Sequence, residues 1–89
     1  MELPMREVYD FPTAIPLKVI GKNLDDFEGY VVELFLTHLH PSDLLNVDRR
    51  LSSSDTYLSV TVTFTAHSRE HLEVIYRELG ASKRVMMVI

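Results

Sequence analysis

The stretch TYLSVTVTFTA, residues 56–66, constrains this chain more than any other. Leu58, Val60, Val62, Phe64 and Ala66 fall on one side of an extended backbone, and Tyr57, Ser59, Thr61, Thr63 and Thr65 on the other, because successive side chains of a strand point to opposite faces. The apolar row demands cover, whereas the row of hydroxyls can meet water. Any sheet built around this strand is therefore expected to be covered on one face and open on the other.

The remaining segments supply partners for that strand. In AIPLKVIG, Ala14 to Gly21, Ile15, Leu17 and Val19 share one face while Pro16 and Lys18 lie opposite, which predicts a strand ended by Gly21. Leu24, Phe27, Val31, Leu34, Phe35 and His38 recur at nearly 3.6 residues, predicting a helix capped by Asn23 and running to about Leu39, where HPSD stops it. LLNVDRRL, Leu44 to Leu51, predicts a half-solvated strand with Leu45, Val47, Arg49 and Leu51 on one face and Asn46, Asp48 and Arg50 on the other. SSSD then turns the chain, with Asp55 able to adopt a left-handed conformation. A second helix is expected after the cap Ser68, through Leu72, Ile75, Tyr76 and Leu79, closed by Gly80 in a left-handed cap. RVMMVI reads as a last strand, apolar on both faces.

The order is βαββαβ. Two helices cannot cover both faces of a four-stranded sheet whose third strand exposes hydroxyls, so both are expected on one side. That is an α+β, ferredoxin-like split βαβ with an antiparallel sheet. Residues 1–13 read as an N-terminal arm, of which Phe11 and Pro12 should pack, and residues 14–89 as a single domain.

Composition narrows function mainly by exclusion. Eighty-nine residues make one domain that buries roughly 60 to 70% of the unfolded chain's surface. The absence of cysteine removes disulfides, thiolate nucleophiles and thiolate metal sites together. No apolar run approaches the roughly 20 residues that span a bilayer, and MELPMREVYD contains no apolar signal segment. A cytoplasmic protein without a membrane partner is expected. A net charge of −4 opposes nonspecific attraction to nucleic acid or anionic lipid, which depends on Lys and Arg neutralising phosphates, and would steer basic partners better than acidic ones.

HSREH, His67 to His71, is the one enzyme-like motif, since it fits the H-x-x-E-H pattern of a zinc protease class. Both histidines must share a helix face to meet on one metal. With Ser68 as the cap, His67 lies outside the helix, and the remaining histidines, His38 and His40, belong to the far end of the other helix. No metal site is expected, and no catalytic residue. Gly21, Lys22 and Asn23 could cradle an anion at a helix start, but Asp25, Asp26 and Glu28 crowd that turn and would repel it. RNA recognition motifs share this order of elements, yet their open faces carry several aromatic residues. Here Tyr57 stands among hydroxyls, so no nucleic acid is expected.

Several segments together resemble the YbeD-like family of small bacterial proteins: DFPTAIPLKVIG near the start, SSSDTYLSVTVTF across the hairpin and YRELGASKRVMMVI at the end. The marks are FPT with a following Lys and Gly, paired serines with Tyr57 and Ser59, ELG closing the second helix, and MV near the terminus. Their order and spacing cover nearly the whole chain. The resemblance implies a fold similar to ACT regulatory domains and a regulatory role linked to lipoate metabolism, and it supplies no catalytic residues. Asp55 stands where the family often has glycine in the hairpin turn.

With no nucleophile paired to a base, a noncatalytic regulatory or protein-interaction module without a cofactor is the expected function. The alternative is a sensor of lipoate or a related small carboxylate, bound by Lys18, Lys22, Tyr57 and Ser59 on the open sheet. A partner or a second copy is expected at the edge formed by Val85, Met86, Met87, Val88 and Ile89, which carries no protective charge.

Overall fold

The computed structural model describes residues 9–89. Residues 1–8 of the expected arm lie outside them. The elements are β1 (Thr13–Lys22), α1 (Phe27–Leu36), a 3-10 turn (Pro41–Asp43), β2 (Leu44–Leu51), β3 (Tyr57–Ala66), α2 (Arg69–Ala81) and β4 (Val85–Val88). They form one four-stranded antiparallel sheet in the order β2-β3-β1-β4. The βαββαβ, ferredoxin-like reading holds.

The apolar row of β3 is the floor of the core. Leu58, Val60, Val62, Phe64 and Ala66 are buried with Ile15, Leu17 and Val19 of β1, beneath Phe27, Val31 and Phe35 of α1 and Leu72, Ile75 and Leu79 of α2. The edge of one ring meets the face of another at Phe35 and Phe64, centroids 5.4 Å apart, a favoured aromatic geometry. At the start of the domain Tyr9 and Phe11 pack against this core. Pro12 stays exposed, so Tyr9 and not Pro12 joins Phe11.

Helix α1 begins later and ends earlier than the 3.6 spacing predicts. The N–H of Asn23 donates to the Thr56 carbonyl (2.9 Å) and its side-chain amide to that of Asp55 (3.2 Å). Asn23 thus ties the end of β1 to the β2–β3 hairpin and lies outside the cap position, since α1 starts only at Phe27. Asp25 and Asp26 follow with φ of 49° and 51°, a left-handed region that Asp enters more readily than most residues. Asp26 is the true cap, accepting a hydrogen bond from the Gly29 N–H (3.1 Å). A side chain at position 29 would collide with that carboxylate, so Gly29 makes room for the cap. The helix stops at Leu36, although Leu39 is still buried beyond it.

Two further expectations fail for backbone reasons. In β2 a register shift between Leu44 and Asn46 inserts Leu45 as an extra residue. Leu44 takes the inward place that simple alternation gives to Leu45, which is left exposed. Gly80 has no left-handed conformation; it is an exposed residue inside α2, which continues to Ala81 and ends on Ser82. Asp55, by contrast, has a φ of 60° in the hairpin turn, as expected.

Gly21 is needed for space. A methyl group there would run into the Phe27 ring and the Arg84 carbonyl, so its absence lets the first residue of α1 seat directly on β1. The expected outcome is that Gly21→Ala lowers stability by about 1–3 kcal/mol through overpacking. Gly80→Ala should raise it by about 0.5–1 kcal/mol by removing a helical glycine. Chemical denaturation of both variants checks the contrast; a destabilised Gly80→Ala would restore the left-handed cap.

Candidate functional site

The histidines of HSREH do converge with those of the other helix end, but each ring has at least one nitrogen in a hydrogen bond or facing a carboxylate. Ser68 caps α2 by accepting from the His71 N–H, leaving His67 outside the helix. His71 Nδ1 accepts from the His67 backbone N–H (3.3 Å), and its Nε2 donates to the His38 carbonyl (2.8 Å). That pair of bonds needs the neutral Nε2–H tautomer and leaves no lone pair for a metal. His67 Nε2 donates to Asp43 (2.9 Å), His38 Nε2 faces Glu78 (3.4 Å) and His40 Nδ1 accepts from the Ser42 N–H (3.2 Å). Among the described residues, no group of three or more His, Asp or Glu side chains is arranged to hold a metal ion. The arrangement is a set of staples joining β3, α2, the α1 terminus and the 3-10 turn.

The helix side also holds a groove lined by Asp25, Asp26, Glu28, Gly29, Tyr30 and Arg84. Its cation, Arg84, is already engaged. The Arg84 guanidinium lies 4.6 Å from the Tyr30 ring centroid and 5.7 Å from that of Phe27, and donates to the carbonyls of Leu24 and Asp25. It clamps the left-handed turn onto the core, and nothing in the sequence order signals this long-range contact.

The unspent chemistry lies on the opposite face. Lys18 pairs with Thr61, Ile20 with Ser59 and Lys22 with Tyr57 across β1 and β3, while Asp48 and Arg50 of β2 lie beside Thr61 and Ser59. Met87 of β4 stands beside Ile20. All of these side chains belong to the sheet face turned away from the helices. Lys18, Lys22, Tyr57 and Ser59, chosen from sequence, therefore share one surface. Ile20 and Arg50 belong with them and were missed; the signal for Ile20 was an apolar residue at a polar position of the β1 alternation.

The terminal segment divides between the two faces. A register shift between Ile20 and Gly21 places Val85 opposite Gly21 and Val88 opposite Val19, and both pack against the core. Met86, Met87 and Ile89 are 55 to 57% exposed. Lys18 and Ile89 exchange both backbone hydrogen bonds, so the N–H and C=O of Val88 turn away from β1 toward the free edge. No helix among the described residues is long and apolar enough to cross a membrane.

Residues 6–89 match a family model described as protein of unknown function, DUF493. A UPF0250 protein of Shewanella loihica is 37% identical over 89 residues, covering 100% of this chain and 99% of the relative. One from Paraburkholderia phymatum is 39% identical over 87 residues, 97% of this chain and 98% of its own. Among solved structures, protein HP0495 from H. pylori superposes with a TM-score of 0.75 at 13% identity, over 97% of this chain and 90% of that one. The C-terminal domain of the MgtC protein from Mycobacterium tuberculosis gives 0.68 at 21%, over 92% and 89%. These structural likenesses establish the fold alone.

The His67–Asp43 contact has a pH consequence. The hydrogen bond from His67, reinforced by the charges of His67 and His40, outweighs desolvation and holds the Asp43 carboxyl below its ordinary value of 3.8. A depressed carboxylate stabilises the fold above its unfolded pKa and loses that contribution as pH falls through the folded one. Asp43→Asn should therefore be less stable than the parent near neutrality, with the difference closing below pH 3.8. Unfolding free energies measured across the acid range check this; a difference that widens on acidification contradicts it.

Proposed function

The chain belongs to the DUF493 family of bacterial proteins of unknown function, and from that premise we propose that it is a noncatalytic regulatory or interaction module. The observation that carries this reading is one-sided cover: both helices lie on one face of the sheet, while the other face and the β4 edge remain bare among the described residues. No nucleophile and base are brought together there, and three of the four ring nitrogens of HSREH are engaged in structural hydrogen bonds.

An uncovered strand edge offers backbone groups to another strand. β4 supplies the outward N–H and C=O of Val88, flanked by the exposed Met86, Met87 and Ile89. Methionine suits such a contact because its unbranched thioether adapts to the opposing surface. Self-association or partner docking at this edge is the form the module takes.

A sensor of lipoate or a related small carboxylate is the second reading. Lys18 and Lys22 flank Ile20 on the same exposed strand face, which offers a cation for the carboxylate beside an apolar contact for the chain. Titration with lipoate under NMR observation distinguishes it: shifts saturating at Lys18, Lys22, Tyr57 and Ser59 favour the sensor.

For the edge, the expected outcome is a mass above that of the monomer at high concentration, lost in Met86→Lys and Met87→Lys. Light scattering beside circular dichroism checks it. Both side chains are exposed, so the variants should fold, whereas lysine at the core-packed Val85 or Val88 should unfold the chain. A monomeric parent, with no partner lost from either folded variant, would contradict the edge assignment.

A further inference from the structure

Charge on this molecule is segregated by face, and the net value conceals it. α1 and α2 carry Glu28, Glu33, Glu70, Glu73 and Glu78 against Arg69 and Arg77, preceded by Asp25 and Asp26. Among the described residues the open sheet face carries Lys18, Lys22 and Arg50 against Asp48 alone. Among the described residues none of those three cations forms an ion pair. Asp48 instead accepts a hydrogen bond from Asn46 (3.1 Å). A chain of charge −4 thus presents a locally positive surface on the side its helices leave bare.

The cations surround an apolar centre. Ile20 is half-buried, and Met87, 55% exposed, stands directly beside it on β4. Lys18 and Lys22 lie two residues before and after Ile20, roughly 7 Å away along the strand, and Arg50 lies two strands across, roughly 10 Å away. Lysine and arginine side chains span those distances while keeping their charged ends in water. An apolar contact rimmed by charge is the usual composition of a protein contact surface.

We infer that the open face docks an acidic segment of a partner protein, one that seats an apolar side chain on Ile20 and Met87 and sets carboxylates against Lys18, Lys22 and Arg50. The inference rests on the interaction-module reading and adds the partner's chemistry. It also reverses the expectation from net charge, since basic partners would be drawn to the helix face and acidic ones to the sheet. Charge complementarity fixes the occupant: a second copy apposed through the same face would bring like charges together. RNA is disfavoured because, among the described residues, Tyr57 is the one aromatic residue on the face, and stacking platforms supply much of single-strand affinity.

The test uses the isotope-labelled full chain and a capped heptapeptide of three glutamates, one leucine and three glutamates. Control probes are the same peptide with glutamine for glutamate, and an eight-nucleotide oligouridylate. Amide shifts should map to Lys18, Ile20, Lys22, Arg50 and Met87. The glutamine peptide, and the Lys18→Glu, Lys22→Glu double variant, should each bind at least about tenfold more weakly. Should that variant not fold, the parent's loss of affinity between roughly 50 and 500 mM salt takes its place as the readout. Shifts confined to the helices, equal binding of the glutamine peptide, tighter binding of the oligouridylate, or no shifts overturn the inference. If those failures accompany a mass change that Met87→Lys abolishes, the acidic partner alone is wrong; if self-association is also absent, the interaction reading fails with it.

Discussion

The ladder between β1 and β3 is the constraint on which the rest of the molecule depends. Its register runs from Thr13 opposite Ala66 to Lys22 opposite Tyr57, so each strand's apolar row falls on the same face as the other's. A slip of one residue would turn one apolar row toward water, which is why the register is held so firmly. With it set, the helices have a single place to bury their own apolar stripes. The bare face follows from the same alternation that fills the core.

The helices are fixed to this ladder by contacts that sequence proximity does not predict. Gly21 admits the Phe27 ring, Arg84 reaches back to the carbonyls of Leu24 and Asp25 while lying against two aromatic rings, and the Tyr30 and Ser82 hydroxyls share a hydrogen bond of 2.6 Å. Together they pin the start of α1 to the junction between α2 and β4. The histidine contacts secure the other end of the helix layer, where α1 leaves and α2 begins. Polar side chains thus serve the helix layer as fasteners, while among the described residues Lys18, Lys22 and Arg50 on the sheet face form no ion pair.

The sequence makes periodic features legible and hides those that depend on tertiary hydrogen bonds. β3 and the body of α2 read correctly because each repeats one period without interruption, and Ser68 shows its capping role one turn before Leu72, the first apolar residue of α2. Asn23 misleads, since its donors go to a hairpin more than thirty residues away. The D-x-x-G spacing of Asp26 and Gly29 is a visible but quieter signal of the true cap. β2 and β4 mislead because a register shift moves residues between faces without changing composition. Lys18 and Lys22 were visible as cations on a solvated face, whereas their grouping with Arg50 and Met87 requires the strand order. Bulk charge averages two faces of opposite character, so the grouping of Lys18, Lys22 and Arg50 does not show in the net value of −4.

One measurement reaches the claim that the sheet face, left uncovered among the described residues, is open in the free chain. In the isolated full chain at high dilution, a soluble paramagnetic agent should broaden the methyl signals of Ile20 and Met87 strongly, while those of Val62 and Leu72, which are fully buried, stay sharp. Protection of Ile20 and Met87 equal to that of Leu72 under those conditions would contradict the account, because the face would then be closed by the chain itself.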